Sequence, residues 1–418
     1  MKYNPFQPNK IVNPAMFVGR IDELEKIESY LFQAKSGNPT HFLIEGERGI
    51  GKSSLLKYVA PLANGNFDTP DGYIFKFLVV FVDLGSAHTQ LDIIRIIARE
   101  LKSQIGKVNK AKEIVKSTWE FLSNWEILGV RYHKEAGSFD PEDAKDNLVE
   151  QLEAIATNAE LGIDGILVML DEADAPPVEA HLGNLMKAMT EKLSREGCDN
   201  VIFGLAGLPS LLGKLKASHE SSARIFTVLR LETLDDAERI RVIDIGIGEA
   251  NTKNDFATAI DGNASKLLAD MSEGYPHFIQ QFGYCAFEAD VDNKITIEDV
   301  LSGAHNENGA IAQLGRKYFS EMYFSKINSN DYRKLLDAMS KYSDRWVSRK
   351  QLIADTRMKE STVNNALLAL KQKSIIILDE SRQGFYRLPT KSFAAWINAI
   401  KSVDERRGGS LTSQSEVG

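Results

Sequence analysis

Two cysteines in 418 residues, Cys198 and Cys285, are too few for a disulfide framework or a thiolate zinc site. No apolar run is long enough to cross a bilayer. The richest, YIFKFLVVFVDLG over 73–85, is short and carries Lys76. The first ten residues, MKYNPFQPNK, lack the apolar centre of a signal peptide. Low-complexity tracts and internal repeats are missing too, and 43% hydrophobic with 26% charged residues is not the composition of a disordered chain. The expectation is a cytoplasmic globular protein without a membrane partner, long enough for two or three domains.

A net basic charge is also lacking: the formal net charge is −8. The balance is uneven, however. Residues 331–400 hold thirteen Lys+Arg against seven Asp+Glu, a charge of +6, while residues 1–330 carry −14 and residues 401–418 hold three of each sign. An acidic body joined to a basic C-terminal segment fits nucleic acid at that end, or simply a solvated surface.

What is present is an alternation of apolar strands and helical patterns. HFLIE (41–45), FKFLVVFVDL (75–84), GILVMLDE (165–172), VIFGLAG (201–207) and RIFTVLRLE (224–232) read as buried parallel strands, because both faces are apolar. Segments with apolar residues three and four apart lie between them, as in LDIIRIIARELKSQI and EAHLGNLMKAMTEKLSREG. The pattern predicts an α/β fold with a mostly parallel sheet. From Leu234 to about Gly315 the strands stop and helices continue; residues 107–139 read as an insertion without an assigned role.

Between the first strand and the next helix stands GERGIGKSS, 46–54, with the spacing G-x-x-x-x-G-K-S. Glycines let successive backbone N–H groups turn around a phosphate, and the helix start adds its positive dipole. Gly46, Gly49, Ile50, Gly51, Lys52, Ser53 and Ser54 are the candidate ATP-binding residues. Lys52 can reach the β- and γ-phosphates, and the Ser53 hydroxyl can ligate Mg²⁺. The second signal is GILVMLDEAD, where Asp171 and Glu172 end a buried strand, predicted beside the loop. Asp171 suits Mg²⁺, and Glu172 suits orienting the attacking water. Read alone, the same pair is a common helix-capping signal.

With these residues in hand, the chain resembles an AAA+ P-loop ATPase of the branch shared by origin-recognition initiators, transposition helpers and STAND NTPases. NPAMFVGRIDELEKI is similar to that branch's FVGR box, which implies that the backbone of Phe17, Val18, Gly19 and Arg20 packs on the adenine. In the helper ATPases an arginine seven residues before a leucine acts as a finger on a neighbour's γ-phosphate; Arg224 stands so before Leu231, or is an ordinary surface arginine. SEGYPHFIQQFG resembles the lid motif in which Gly274 and Pro276 lie against the nucleotide, although Pro276 also suits a plain helix start. Two features depart from the family. VIFGLAGLPS offers no polar side chain before Ser210, and the lid segment has His277 but no arginine, which puts fast hydrolysis in doubt.

Residues 331–389 read helix, helix, helix, hairpin, the order of a winged helix-turn-helix. Leu352, Ile353, Val363, Ala366, Leu367 and Leu370 are its core by spacing, and Lys359, Ser361, Thr362, Asn364, Asn365, Lys371, Lys373 and Arg382 its outward groups. The expected division is an AAA+ domain over 1–233, a helical lid over 234–315, a winged helix over 316–400 and a disordered tail over 401–418. Three functions fit: an ATPase acting on double-stranded DNA, a signalling or defence switch acting on a client or effector protein, and a DNA-binding regulator with a vestigial ATP site. The resemblance also implies a homo-oligomer.

Overall fold

Five strands, β1 (His41–Glu45), β2 (Phe77–Asp83), β3 (Gly165–Asp171), β4 (Val201–Gly207) and β5 (Phe226–Arg230), form one parallel sheet in the order β2-β3-β4-β1-β5. The computed structural model describes residues 2–10, 18–69, 71–108, 140–327, 329–373, 375–379 and 381–412. The proposed insertion therefore lies outside the described residues from 109 onward, as does Phe17. Every residue of β3 and β4 is buried, which is why their sequences are continuous apolar runs rather than alternating ones. Helices α1 (Ile21–Lys35), α2 (Lys52–Ala63), α3 (Gln90–Ile105), α4 (Pro141–Ala156), α5 (Leu182–Arg195) and α6 (Leu211–Ser218) surround the sheet sequence. Thr89 and Asp92 close a capping box that sets the start of α3, and Asp140 followed by Pro141 starts α4. Among the described residues no helix is long and apolar enough to cross a membrane.

The chain forms two compact units, residues 11–232 and residues 1–10 with 233–418. The expectation of a domain over 1–233 is thus corrected at its N-terminus. Residues 2–10 belong with α7 (Asp236–Lys253) and α9 (Pro276–Ala289), where Phe6 is 1% exposed and stands edge-on to Phe287. A Cβ on Gly246 or Gly283 would reach within 2.9 or 2.6 Å of the Phe6 ring, so those glycines make room for it. Burying such a ring contributes about 2–3 kcal/mol. Asn254 exchanges hydrogen bonds with both ends of the Tyr3 backbone, at 2.7 and 3.0 Å.

The second unit continues with α8 (Gly262–Met271), α10 (Ile297–His305) and α11 (Ala310–Leu314). Contrary to the all-helical expectation for 234–315, a two-residue parallel pair, β6 (Ala259–Ile260) and β7 (Lys294–Ile295), interrupts the helices. Then come α12 (Asn330–Ser340), β8 (Val347–Ser348), α13 (Arg349–Thr356), α14 (Glu360–Gln372), β9 (Ile377–Leu378), β10 (Phe385–Arg387) and α15 (Lys391–Thr412). β8, β10 and β9 make an antiparallel sheet in that order. The expected disordered tail from 401 is corrected as far as Thr412, since α15 runs that far. Extending a formed helix orders one residue per added hydrogen bond, whereas starting one is costly.

His41 supplies a pH test of the first unit. Its Nδ1 accepts the Phe203 N–H at 3.1 Å, and burial lowers its pKa to about 4. The unfolded imidazole takes its proton near pH 6.5, so the unfolded state binds more protons between those values. Stability from this group is therefore complete above about pH 6.5 and is lost toward pH 4, an effect on the order of 3 kcal/mol. Denaturant melts at about pH 7 and pH 5 should show the loss. His41→Asn, whose amide oxygen can accept the same N–H without titrating, should flatten the slope; an unchanged slope would contradict the assignment.

Candidate functional site

The loop after β1 is shaped by three close constraints. The Gly46 N–H donates to the Gly207 carbonyl at 3.3 Å, tying the loop to the tip of β4. A Cβ on Gly46 would stand 2.8 Å from Ile50 Cγ2 and 3.3 Å from Leu231 Cβ, so a larger residue would push the loop open. Gly49 and Gly51 have φ of 83° and 104°, the left-handed region that favours glycine. Gly51 is also the N-cap of α2, and no side chain caps that helix. Ile50 is buried at 2% exposure and anchors the loop from below. The Lys52 ammonium folds back over it, donating to the carbonyls of Gly46 at 2.8 Å and Glu47 at 2.9 Å. Ser53 and Ser54 are half-buried on the first turn of α2.

Asp171 ends β3 at 3% exposure. Its carboxylate accepts the Glu172 N–H at 2.8 Å, and the Ser53 hydroxyl near it favours the charged form. The strand carrying it is not adjacent to the loop strand, since β4 lies between β3 and β1. Ser53 and Asp171 nonetheless interact across that gap. Glu172 has φ of 50° and is exposed, while the Ala173 N–H resumes the sheet by donating to Ala206 O at 2.9 Å.

Burial sets the electrostatics. It pushes the Lys52 pKa down, against the opposing pull of Asp174, Asp171 and Glu47. It pushes the Asp171 pKa up, against the Ser53 hydroxyl and Glu172 N–H that favour the carboxylate. Each charge is held where water solvates it poorly, so an incoming anion beside Lys52 and a cation beside Asp171 would both be favoured.

The remaining predicted residues are spread more widely. Val18 is half-buried and Gly19 has φ of 75°. Arg20 is buried, with φ of 66°, and donates to Ile50 O at 3.2 Å and to Glu232 O. Arg224 is exposed in a short 3₁₀ turn just before β5. Phe226 pairs with His41, so Arg224 stands at the entering end of the sheet while the loop stands at the leaving end. Pro276 is in the second unit, as the first residue of α9.

Sequence reasoning missed Asp174, Asp83 and Gly207. Asp174 accepts the Leu208 N–H at 2.9 Å, acts on Lys52, and lies 2.8 Å from where a Gly207 Cβ would be. Asp83 pairs in register with Asp171 and raises its pKa. Its signal was a carboxylate ending an apolar strand, the same one that marked Asp171. Asp174 is part of the quoted DEAD run, but only folding brings it near enough for its charge to act on the loop lysine.

A glycine cradle, an uncapped helix start and a desolvated ammonium fit a polyphosphate. The hydroxyl–carboxylate pair fits Mg²⁺, which takes one or two protein oxygens and keeps several waters. Strand order and loop together define a mixed α/β P-loop fold of the AAA+ type.

Residues 16–197 match the AAA ATPase domain family, so this part of the chain carries an AAA ATPase domain. Among solved structures, the Walker-type ATPase of Pyrococcus abyssi is similar with a TM-score of 0.59 at 16% identity, covering 94% of this chain and 99% of that one. The ORC2 protein of Aeropyrum pernix, in its ADPNP–ADP complexes, is similar with a TM-score of 0.57 at 14% identity, covering 97% and 99%. Identities this low establish a common fold. Among curated proteins, an uncharacterized HTH-type transcriptional regulator of Methanocaldococcus jannaschii is 43% identical over 60 residues, which span 14% of this chain and 15% of that protein.

Lys52→Ala removes the buried cation from the loop and should weaken ATP binding roughly ten- to a hundred-fold, as calorimetry would read. Gly46→Ala should weaken it as well, through the clash with Ile50, while the melting temperature stays near that of the parent. Wild-type affinity in both variants would place nucleotide elsewhere.

Proposed function

We propose that the chain is an ATP-driven switch whose C-terminal winged helix contacts double-stranded DNA. The observation that carries the reading is the Lys52 ammonium held over the loop on the Gly46 and Glu47 carbonyls, with the buried Asp171 carboxylate acting on it and Ser53 acting on Asp171. In this reading Lys52 neutralises the β- and γ-phosphates, and Glu172 orients the attacking water. Ser53 and Asp171 would hold Mg²⁺, which would offset the charge of the phosphate oxygens. The backbone of Val18, Gly19 and Arg20 takes the adenine. A lid over 234–315 brings Pro276 to the nucleotide, and a winged helix occupies 316–400.

Arg224 acts in a neighbouring subunit of a homo-oligomer. Its own loop stands about 15 Å of strand away, at the opposite end of β1 and β5, so a role in cis is out of reach. An arginine finger contributes on the order of a thousand-fold to turnover. Arg224→Ala should therefore bind ATP nearly normally and hydrolyse it about that much more slowly. Mixing it with Lys52→Ala should restore activity, because the intact site of one subunit meets the intact arginine of the other. Full activity in Arg224→Ala, or turnover independent of protein concentration, would remove it from the mechanism.

DNA contact is supported by the three helices and small sheet of the basic segment, with Lys359, Ser361, Asn365 and Lys371 exposed on or before α14. A second reading, a client or effector protein as partner, is favoured by Leu368, 57% exposed in the middle of α14. It is favoured too by the engagement of two expected phosphate contacts. Lys373 donates to Lys326 O, and Arg382 pairs with Asp379 at 2.6 Å and lies over the Phe385 ring. With the full chain, DNA affinity should fall steeply between low and physiological salt, and Lys371→Glu should weaken binding to all sequences alike. No duplex binding in low salt would transfer the partner role to a protein.

A further inference from the structure

Arg20 has a buried guanidinium committed to the backbone. Nη2 donates to Ile50 O at 3.2 Å and also to Glu232 O, while Nη1 is 3.7 Å from the Glu23 carboxylate. Both carbonyls stand at junctions. The Ile50 carbonyl shares its peptide plane with the Gly51 N–H, and the two point in opposite directions across a trans peptide. Holding that carbonyl therefore fixes the direction of the amide that begins α2. Glu232 is the last residue of the first unit, and its carbonyl belongs to the peptide that leads to Thr233 of the second.

The hydrogen bonds resume on the far side of that peptide. The Leu234 N–H donates to Gly274 O at 2.9 Å, and Arg239 Nε donates to Leu234 O at 2.8 Å. A Cβ on Gly274 would meet Leu234 O at 2.6 Å and Thr233 Cβ at 2.8 Å, so the linker passes hard against this residue. The preceding residue, Glu273, has φ of 54°, and its carboxylate accepts the N–H groups of Lys391 at 2.7 Å and Ser392 at 2.9 Å and the Ser392 hydroxyl at 3.0 Å. Those groups start α15. Covalent and hydrogen bonds thus run without a break from the phosphate loop to the last helix.

We propose that Arg20 is a positioning residue: it orients the Ile50–Gly51 peptide and passes the state of the loop to the 232–234 linker, from which Gly274 and Glu273 carry it to the start of α15. The proposal rests on the reading that the loop binds nucleotide. A buried cationic N–H that loses its acceptor keeps the full cost of its desolvation, so neither carbonyl moves without the other or without the guanidinium following. That shared group supplies the physical coupling between loop and linker that contiguity by itself would not.

The test uses the full chain, a non-hydrolysable ATP analogue and amide hydrogen exchange. In the parent protein, analogue should slow exchange at Leu234 and at Lys391–Ser392. Arg20→Lys replaces a planar fork by a single ammonium, so KM for ATP should rise roughly tenfold and both nucleotide-dependent effects should vanish. Glu273→Ala should keep ATP affinity and the effect at Leu234 and lose the effect at Lys391–Ser392. A merely structural Arg20 would lower the melting temperature and leave those differences in place, and that outcome overturns the proposal. If Arg20→Lys does not fold, Glu273→Ala decides: an undiminished effect at Lys391–Ser392 overturns the relay. Lys52→Ala separates the levels, because unchanged ATP binding there would defeat the nucleotide-site reading itself.

Discussion

Helix α2 begins at Gly51 without a side-chain cap, and the amides of its first turn are left for solvent or an anion. That arrangement persists because the preceding strand is locked between β4 and β5, and because Gly46 is tied to Gly207. A parallel sheet delivers the ends of its strands to one edge, so Asp83, Asp171 and the loop all arrive on the same side. The site is a consequence of strand direction as much as of its own residues.

The same edge concentrates charge that burial disfavours. Lys52 and Asp171 are both poorly solvated, and their neighbours Asp174, Asp83 and Glu47 crowd the space with carboxylates. A polyphosphate with a divalent cation answers both deficits at once, since it supplies an anion to the lysine and a cation to the carboxylates. The polar residue expected at the end of β4 is missing, and β4 meets the loop through the Gly207 carbonyl. In the second unit, Phe6 and the Tyr3–Asn254 bonds fasten the N-terminal residues to α7 and α9. The first unit is therefore entered and left by covalent links to the same body.

The sequence by itself determined the strands, the phosphate loop and the Asp171–Glu172 pair. These are local: a buried parallel strand must be apolar throughout, and a phosphate loop needs glycine and lysine at a fixed spacing within eight residues. It also determined the order of helices and hairpin over 331–389, since period and turn residues are short-range signals. Tertiary structure decided the strand order that sets β4 between β1 and β3, the approach of Asp174 to Lys52, and the docking of Phe6. It decided as well that Arg20 holds two carbonyls, 30 and 212 positions away in the chain. Contacts at such separations leave no periodicity in a single sequence, because what selects them is the closing of a common core rather than the conformational preference of neighbouring residues.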